Sequence, residues 1–465
     1  MVVILTLVCY NNTVFYNVEL CALLEEYGMS IEKINAAKAE TASTAAYKTL
    51  TAFFDADSFC ELDAFAKSGD GFAEAVAGYG TVEGMPVYAF AQNSDVSGGA
   101  LSKAQTAKLK KLYALALKTG APVVGFYDSV GGRLNQGTEL LGGCGEVLRL
   151  ASKISGVVPQ ISVVTGNCLG TNALNAVSAD FVIMTKDAKL SLDVTGENAS
   201  AEYNAAQGNV ALVADDKAQA VAQARDLLLY LPSNNLTPAP QAEDLQPDGE
   251  NTTCIVSKVA DAGSKLRLGD SCGETARTRL AHIGGQVVGV VRTTGGKLDD
   301  CSAEKAAKLV RFCDAFSIPV ITFADCDGFD SLSSAAKLTS AYAEATTAKI
   351  AVIVGRTIGS AYIALAGTGA NADVVYALPD AVVSPVNVEA AAFIMDGKNM
   401  KVPVEKQQEA ANRFASEHLS AFNAAQNGYI DGIVTVEELR GALLDALNML
   451  SGKRVPTVAK KHGTI

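Results

Sequence analysis

Two short runs of small residues carry the chemistry most easily read from this chain. In each, an apolar run ends at a glycine and passes into small side chains: Gly166-Asn167-Cys168-Leu169-Gly170-Thr171-Asn172-Ala173, and Gly355-Arg356-Thr357-Ile358-Gly359-Ser360-Ala361-Tyr362. A strand, a glycine turn and a helix start leave backbone N–H groups without intrahelical acceptors, and the helix dipole there favours negative charge. Such a place can hold an oxyanion. A second glycine-rich turn precedes each run: Asp128-Ser129-Val130-Gly131-Gly132-Arg133, and the plainer Asp325-Cys326-Asp327-Gly328-Phe329. Two such turns side by side on a parallel sheet form a pocket whose donors face an enolate or thioester oxygen. The same glycines would equally serve close packing of helix on strand, and spacing alone leaves both readings open.

Little else resembles catalytic apparatus. There is no dinucleotide-binding glycine fingerprint after a strand, no P-loop and no nucleophile elbow. The three histidines offer no base: His282 reads as preceding a strand, and His418 and His462 sit in polar C-terminal contexts. An enzyme with two oxyanion pockets and no evident base must let its substrates carry the proton traffic.

The elements that hold these turns occur twice. GTVEGMPVYAFAQ, GAPVVGFYDSVGG, VVPQISVVTGNCLGTNAL and SADFVIMTKDAKLSL are answered by RLAHIGGQVVGVVRTT, SIPVITFADCDGF, TTAKIAVIVGRTIGSAYIAL and NADVVYALPDAVVSP. Gly84 and Gly285, Pro122 and Pro319, Gly166 and Gly355, Gly170 and Gly359, and Asp180 and Asp373 keep nearly constant separations, with a drift that loop insertions explain. Short β-branched runs alternate with stretches whose apolar residues recur every three or four positions, as in LKKLYALAL and AKLVRFCDAF. That alternation predicts parallel βαβ units with helices outside. Between the repeats, LPSNNLTPAPQAEDLQPDGEN reads as a linker. The organisation expected is an extension over 1–28, a domain over 29–231, a linker over 232–252 and a second domain over 253–465.

Composition narrows the function further. The 465 residues are 49% hydrophobic and 19% charged, with 41 glycines against 12 prolines, which suits a soluble globular protein of more than one domain. The 50 acidic and 38 basic side chains leave a net charge of -12, which repels phosphate backbones, so nucleic acid is not an expected partner. The ten cysteines form no CxxC pair and most stand in apolar surroundings, so no metal is expected and a reducing, cytoplasmic setting is. The apolar run Val2 to Cys9 is far short of the roughly 20 residues of a membrane span.

From about Phe53 to its end, the chain resembles the carboxyltransferase subunits of biotin-dependent acyl-CoA carboxylases and the related acyl-CoA decarboxylases. The resemblance is carried by FFDADSFCELDAF, AGYGTVEGMPVYAFAQNSDVSGGALS, APVVGFYDSVGGRLNQG, VVPQISVVTGNCLG, ARDLLLYLPSNN, AEKAAKLVRFCDAFSIPVITFADCDGF, AYAEATTAKIAVIVGRTIGSAY, NAAQNGYIDGIV and the ending KKHGTI. It implies an α/β fold of two tandem crotonase-like (ClpP/crotonase superfamily) domains. It implies transfer of a carboxyl group between carboxybiotin, carried on a separate protein, and a short acyl-CoA, propionyl/methylmalonyl-CoA being the expected pair. Released biotin N1 would then be the base.

Carried over position by position, the resemblance places one oxyanion site at the N–H groups of Gly170 and Thr171 and the other at those of Ser360 and Ala361. Asp128, Ser129, Gly131, Gly132 and Arg133 would line the acyl-CoA loop, with Gly328, Phe329 and Gly359 on the substrate side of the second repeat. The implied partners are a biotin carrier protein, a biotin carboxylase or a membrane decarboxylase subunit, and further copies of the chain, from dimer to hexamer. The alternatives are the α subunit of a sodium-pumping decarboxylase, docked to a membrane subunit, and a degenerate assembly subunit. Departures from the family motivate the latter. DSVGGR, CLGTN and IGSAY stand where DSGGAR, CAGGA and YGGAY are usual, and the segments after Phe329 and Leu192 are short. Met400-Lys401-Val402 only faintly resembles a biotinyl-lysine context, so biotin is expected on the partner.

Overall fold

A computed structural model describes residues 31–68, 71–193, 195, 197–249, 253–386, 390, 409 and 419–456. The expected extension, the Met400 to Val402 stretch, His418, His462 and the C-terminal KKHGTI lie outside them.

Each repeat builds one eight-stranded sheet. The first comprises β1 (Cys60–Leu62), β2 (Ala75–Val82), β3 (Met85–Gln92), β4 (Val123–Ser129), β5 (Gln160–Leu169), β6 (Phe181–Thr185), β7 (Lys189–Ser191) and β8 (Leu212–Ala214). The second comprises β9 (Leu266–Leu268), β10 (Ala276–Ile283), β11 (Gln286–Thr293), β12 (Val320–Cys326), β13 (Lys349–Ile358), β14 (Val374–Ala377), β15 (Val382–Ser384) and β16 (Gly432–Ile433). The orders correspond strand for strand: β1-β2-β3-β4-β5-β6-β8 and β9-β10-β11-β12-β13-β14-β16, with β7 added to the end of β5 and β15 to the end of β13. The first two pairings of each sheet are antiparallel and the others parallel. The central strands VVGFYDS and VITFADC share one burial pattern, as strands covered on both faces must.

Helices α1 (Ile31–Ser43) and α2 (Ala45–Phe53) lead into the first sheet. Its crossovers are α3 (Lys103–Thr119), α4 (Thr138–Ile154) and α5 (Thr171–Val177), and α6 (Lys217–Leu228) closes it. The second repeat uses α7 (Asp300–Ala315), α8 (Leu332–Glu344), α9 (Ser360–Leu365) and α10 (Val436–Leu450) in the same places. Starts are fixed by side-chain caps: Ser102 on α3, Asp299 on α7, and Thr435 with Glu438 as a full capping box on α10.

The closing helix of each repeat is tied to the β-hairpin by the same device. Asp55 accepts the N–H groups of Glu83 and Gly84 at 3.0 Å each and pairs with Arg225 of α6 at 3.1 Å. Asp261 accepts those of Gly284 and Gly285 at 3.0 and 2.7 Å and pairs with Arg440 of α10 at 2.9 Å. The two repeats also share one core, where the Phe181 ring of β6 meets Phe312 of α7 edge-on at 4.6 Å.

Three expectations change. The segment after α6 is fastened at both ends: Asn234 and Asn235 bond to Gly120 and Val157, while Ala242 bonds to Gly285 and Asp244 pairs with Arg440. Its prolines and polar residues reflect an ordered path over the surface. His282 lies inside β10, buried and stacked on Tyr230 at 4.7 Å. Cys272 and Cys301 are joined as a disulfide, because the turn through Gly269 and Gly273 runs beside the first turn of α7. Cys168, Cys313 and Cys326 remain buried thiols.

The backbone N–H of Gly84, with the Thr81 side chain, the Glu83 N–H and the Arg225 side chain, holds the Asp55 carboxyl down at about 2 against the opposing effect of burial. Its folded pKa lies below its unfolded value, so its contribution is complete above about pH 4 and fades as pH falls through about 2. Urea unfolding of Asp55→Asn from pH 5 to 2 should show a shallower loss of stability than the parent; parallel curves would contradict this.

Candidate functional site

Both functional turns start from a carboxylate at the end of a central strand. Asp128 Oδ1 accepts the N–H of Asn167 at 3.2 Å, and Asp325 Oδ1 accepts that of Arg356 at 3.0 Å. These bonds lie where the pairings β4·β5 and β12·β13 shift register. Each requires glycine opposite. A Cβ on Gly166 would lie 2.1 Å from Asp128 Oδ1, and one on Gly355 would lie 2.4 Å from Asp325 Cγ. Asp128, expected on the substrate loop, therefore turns its carboxylate inward onto the neighbouring turn.

Beyond this clasp, the ends of β5 and β13 leave their first neighbours and pair with β7 and β15. Gly170 and Gly359 then turn the chain at φ +64° and +52°, a region that strongly favours glycine. Gly170 N–H donates to Ser191 O at 3.0 Å and Gly359 N–H to Ser384 O at 2.8 Å. The next two N–H groups open α5 and α9. Those of Thr171 and Asn172, and those of Ser360 and Ala361, have no acceptor among the described residues. Of the donor pair expected at Gly170 and Thr171, the Gly170 amide is taken by β7, and the adjacent N–H groups without acceptors among the described residues are those of Thr171 and Asn172. Thr171 and Ser360 are exposed and neither has positive φ, so a side chain fits where glycine is usual in the resemblance.

The second loops are laced to the segment before α3 and α7. Val130 N–H bonds to Gly98 O, Leu101 N–H to Gly131 O and Arg133 N–H to Leu101 O, at 3.1, 2.8 and 2.9 Å. The other repeat answers with Asp327 to Gly296 at 2.7 Å and Asp330 to Leu298 at 3.0 Å. Gly131 and Gly328 have φ of 127° and 144°. Ser129 is buried and its hydroxyl donates to Gly131 O at 3.1 Å, a place taken in the second repeat by the Cys326 thiol on Gly328 O, also at 3.1 Å. Gly132 packs against Leu140, and Phe329 is half-buried against the core. Of the expected loop residues, Arg133 alone brings a positive charge; it is part exposed and ion-pairs with buried Glu74.

Several contributors were invisible to spacing. Buried Gln92, the last residue of β3, accepts Asp128 N–H with Oε1 and donates to Asn172 Oδ1 with Nε2, at 3.1 Å each, so it bridges the two turns. Thr293 at the end of β11 accepts Asp325 N–H in the same way at 2.6 Å. The half-buried Cys144 thiol of α4 accepts the Thr171 hydroxyl at 3.8 Å, and burial pushes its pKa up. The signal for Gln92 and Thr293 was available: both end the strand before the first crossover.

If carboxylate and glycine form one clasp, Gly166→Ala should cost about 2 kcal/mol by overpacking. In Asp128→Ala/Gly166→Ala the added methyl group has space, so the double variant should be less destabilised than the sum of the singles. A denaturation double-mutant cycle that is additive would sink the clasp.

Comparison with known proteins identifies the setting. Residues 39–465 match the carboxyl transferase domain family. The chain is 32% identical to the methylmalonyl-CoA decarboxylase alpha subunit of Veillonella parvula, covering 90% of this chain and 92% of that protein. It is 33% identical to a putative propionyl-CoA carboxylase beta chain of Bacillus subtilis, covering 88% and 91%. Among solved structures, transcarboxylase 12S, described as a hexamer with hydrolysed methylmalonyl-CoA bound, matches at 30% identity and a TM-score of 0.85 over 96% of this chain and 98% of that one. The two sheets with their stitched glycine turns are therefore tandem crotonase-like units, and the chain belongs to the carboxyl transferase family.

Proposed function

We propose that this chain is the carboxyltransferase subunit of a biotin-dependent enzyme, moving a carboxyl group between carboxybiotin on a separate carrier protein and a short-chain acyl-CoA. Propionyl/methylmalonyl-CoA is the pair that the similar proteins favour. The observation that carries the reading is the double occurrence of one device: a glycine turn followed by two adjacent N–H groups without acceptors among the described residues.

Each donor pair suits an oxygen that gains charge as the reaction proceeds. Thr171 and Asn172 would hold the thioester oxygen while the acyl α-carbon becomes nucleophilic. Ser360 and Ala361 form the same donor set, which fits a urea-type carbonyl such as that of biotin. When delivered, carboxybiotin supplies the carboxyl group and, after giving it up, a basic nitrogen. The chain's own part is to bind, to orient and to stabilise charge. His282, stacked on Tyr230, has no step to perform. Run in the opposite direction, the same transfer gives the decarboxylase reading, which the Veillonella relative favours. Partner subunits, a biotin carboxylase or a membrane decarboxylase subunit, would set the direction.

A second copy of the chain would complete the site. Exposed apolar side chains sit at matching places on both repeats: Leu134 and Leu332 follow the second loops, and Leu174 and Ile363 lie four residues after Gly170 and Gly359. Such side chains beside a polar pocket are covered by a partner more often than left in water. Pairing unlike repeats about a two-fold axis would cover both sets and leave a closed interface.

Thr171→Pro and Ser360→Pro each delete one donor at a first helical position, where proline is well tolerated. Turnover in malonyl- or methylmalonyl-CoA carboxyl transfer to biotin should fall by a factor of about 100 to 1,000, while Thr171→Ala and Ser360→Ala, which keep the N–H, stay near the parent. Proline variants with normal turnover and fold would refute the donor assignment. Light scattering should give a dimer or larger at concentrations where transfer is measured; an active monomer would refute the shared site.

A further inference from the structure

Both repeats cross-link the start of one strand to the cap of the first crossover helix, but with the acid on opposite ends. In the second repeat the acid is the cap: Asp299 accepts the Thr275 hydroxyl at 2.6 Å, together with N–H groups of Glu274, Thr275 and Ser302. Position for position, the first repeat has Glu74 for Thr275 and Ser102 for Asp299, and the Ser102 hydroxyl donates to Glu74 Oε2. The second Glu74 oxygen lies 2.6 Å from Arg133 Nε, close in charge though without a well-directed N–H bond.

Neutralising a carboxylate does not explain Arg133. The second repeat holds the carboxylate of the same cross-link with hydroxyl and N–H donors, with Lys305 nearby but no ion pair to Asp299 among the described residues, and Asp330 stands at the position of Arg133. Glu74 is fully buried, whereas the Arg133 side chain keeps 21% exposure. Its Nη2 donates to Ser97 Oγ and its own N–H to Leu101 O, so three contacts fix it. Nη1 has no partner among the described residues. The result is one rigid positive charge on the first loop and an acid at its counterpart.

We propose that Glu74 is a positioning residue that holds the Arg133 guanidinium for an anionic group of the acyl-CoA, a CoA phosphate or an acyl carboxylate. This rests on the reading of the first loop as the acyl-CoA loop. The two matching loops then differ in where the charge sits: the first repeat fixes its cation on the loop itself at Arg133, where the second has Asp330, while the cation of the second repeat is Arg356 on the neighbouring turn, half exposed and 3.3 Å from Asp327.

The test uses calorimetric titration of the full-length protein with CoA, propionyl-CoA and methylmalonyl-CoA, alongside kcat and KM. Glu74→Gln, nearly isosteric, should weaken binding about tenfold, the scale of a contact to a charged group, and raise KM while leaving kcat near the parent. Arg133→Gln should weaken binding at least as much, and the double variant no further. Ser102→Ala breaks the cross-link and the helix cap but keeps the ion pair; it should lower Tm and leave affinity near the parent. Weakening for all three ligands identifies a phosphate, and weakening for methylmalonyl-CoA alone a carboxylate; either supports the proposal. Unchanged affinity in Glu74→Gln, additive losses with Arg133→Gln, or equal weakening by Ser102→Ala would overturn it. A parent that binds none of the ligands, or an Arg133→Gln variant that binds them normally, would instead overturn the acyl-CoA reading of this loop, and the proposal with it.

Discussion

The site depends on a carboxylate that bonds backward into the sheet. Parallel strands offer only evenly spaced backbone bonds, and nothing in that pattern makes a strand change partners near its end. Asp128 and Asp325 supply the missing constraint by taking an amide of the next strand through a charge-assisted bond. Once that amide is held, β5 and β13 can turn away to meet β7 and β15, and the two N–H groups that follow Gly170 and Gly359 emerge without acceptors among the described residues. Glycine at 166 and 355 is then a steric necessity.

The same economy runs through the rest of the fold. The hairpin clasps at Asp55 and Asp261, the capped crossover helices and the laced second loops recur in both repeats with nearly the same bond lengths. Divergence at the two turns lies in side chains, Arg133 against Asp330, Ser129 against Cys326, Asn172 against Ala361. A shared frame with different lining suits a transfer between two unlike molecules. The shared core at Phe181 and Phe312 keeps the two frames from drifting independently.

Much of this was legible because it is local. Glycine spacing, apolar periodicity and constant offsets located the repeat, the parallel sheets and both turns. What escaped was set by pairings distant in the chain. That the Gly170 amide is already bonded follows from β7, some twenty residues later, and no local pattern announces it. Gln92 and Glu74 act only through register with strands read separately, although their counterparts Thr293 and Thr275 keep the same offset as Gly84 and Gly285. The disulfide of Cys272 and Cys301 depends on a turn meeting a helix start, which composition does not encode. The proline-rich segment between repeats carried no sign of the contacts that Asn234, Asn235 and Asp244 make.

The exchanged acid and hydroxyl at the strand–cap cross-link constrain the history of any chain that carries this repeat. A change from Glu74 with Ser102 to the arrangement of Thr275 with Asp299 takes two substitutions, and their order matters. Acquiring the second acid first would bury two carboxylates against each other, which forces one of them to stay protonated. Losing the first acid first leaves two hydroxyls, which can still bond. Descent from one arrangement to the other therefore runs through a neutral intermediate, and during that stage an arginine at position 133 would have had no buried partner.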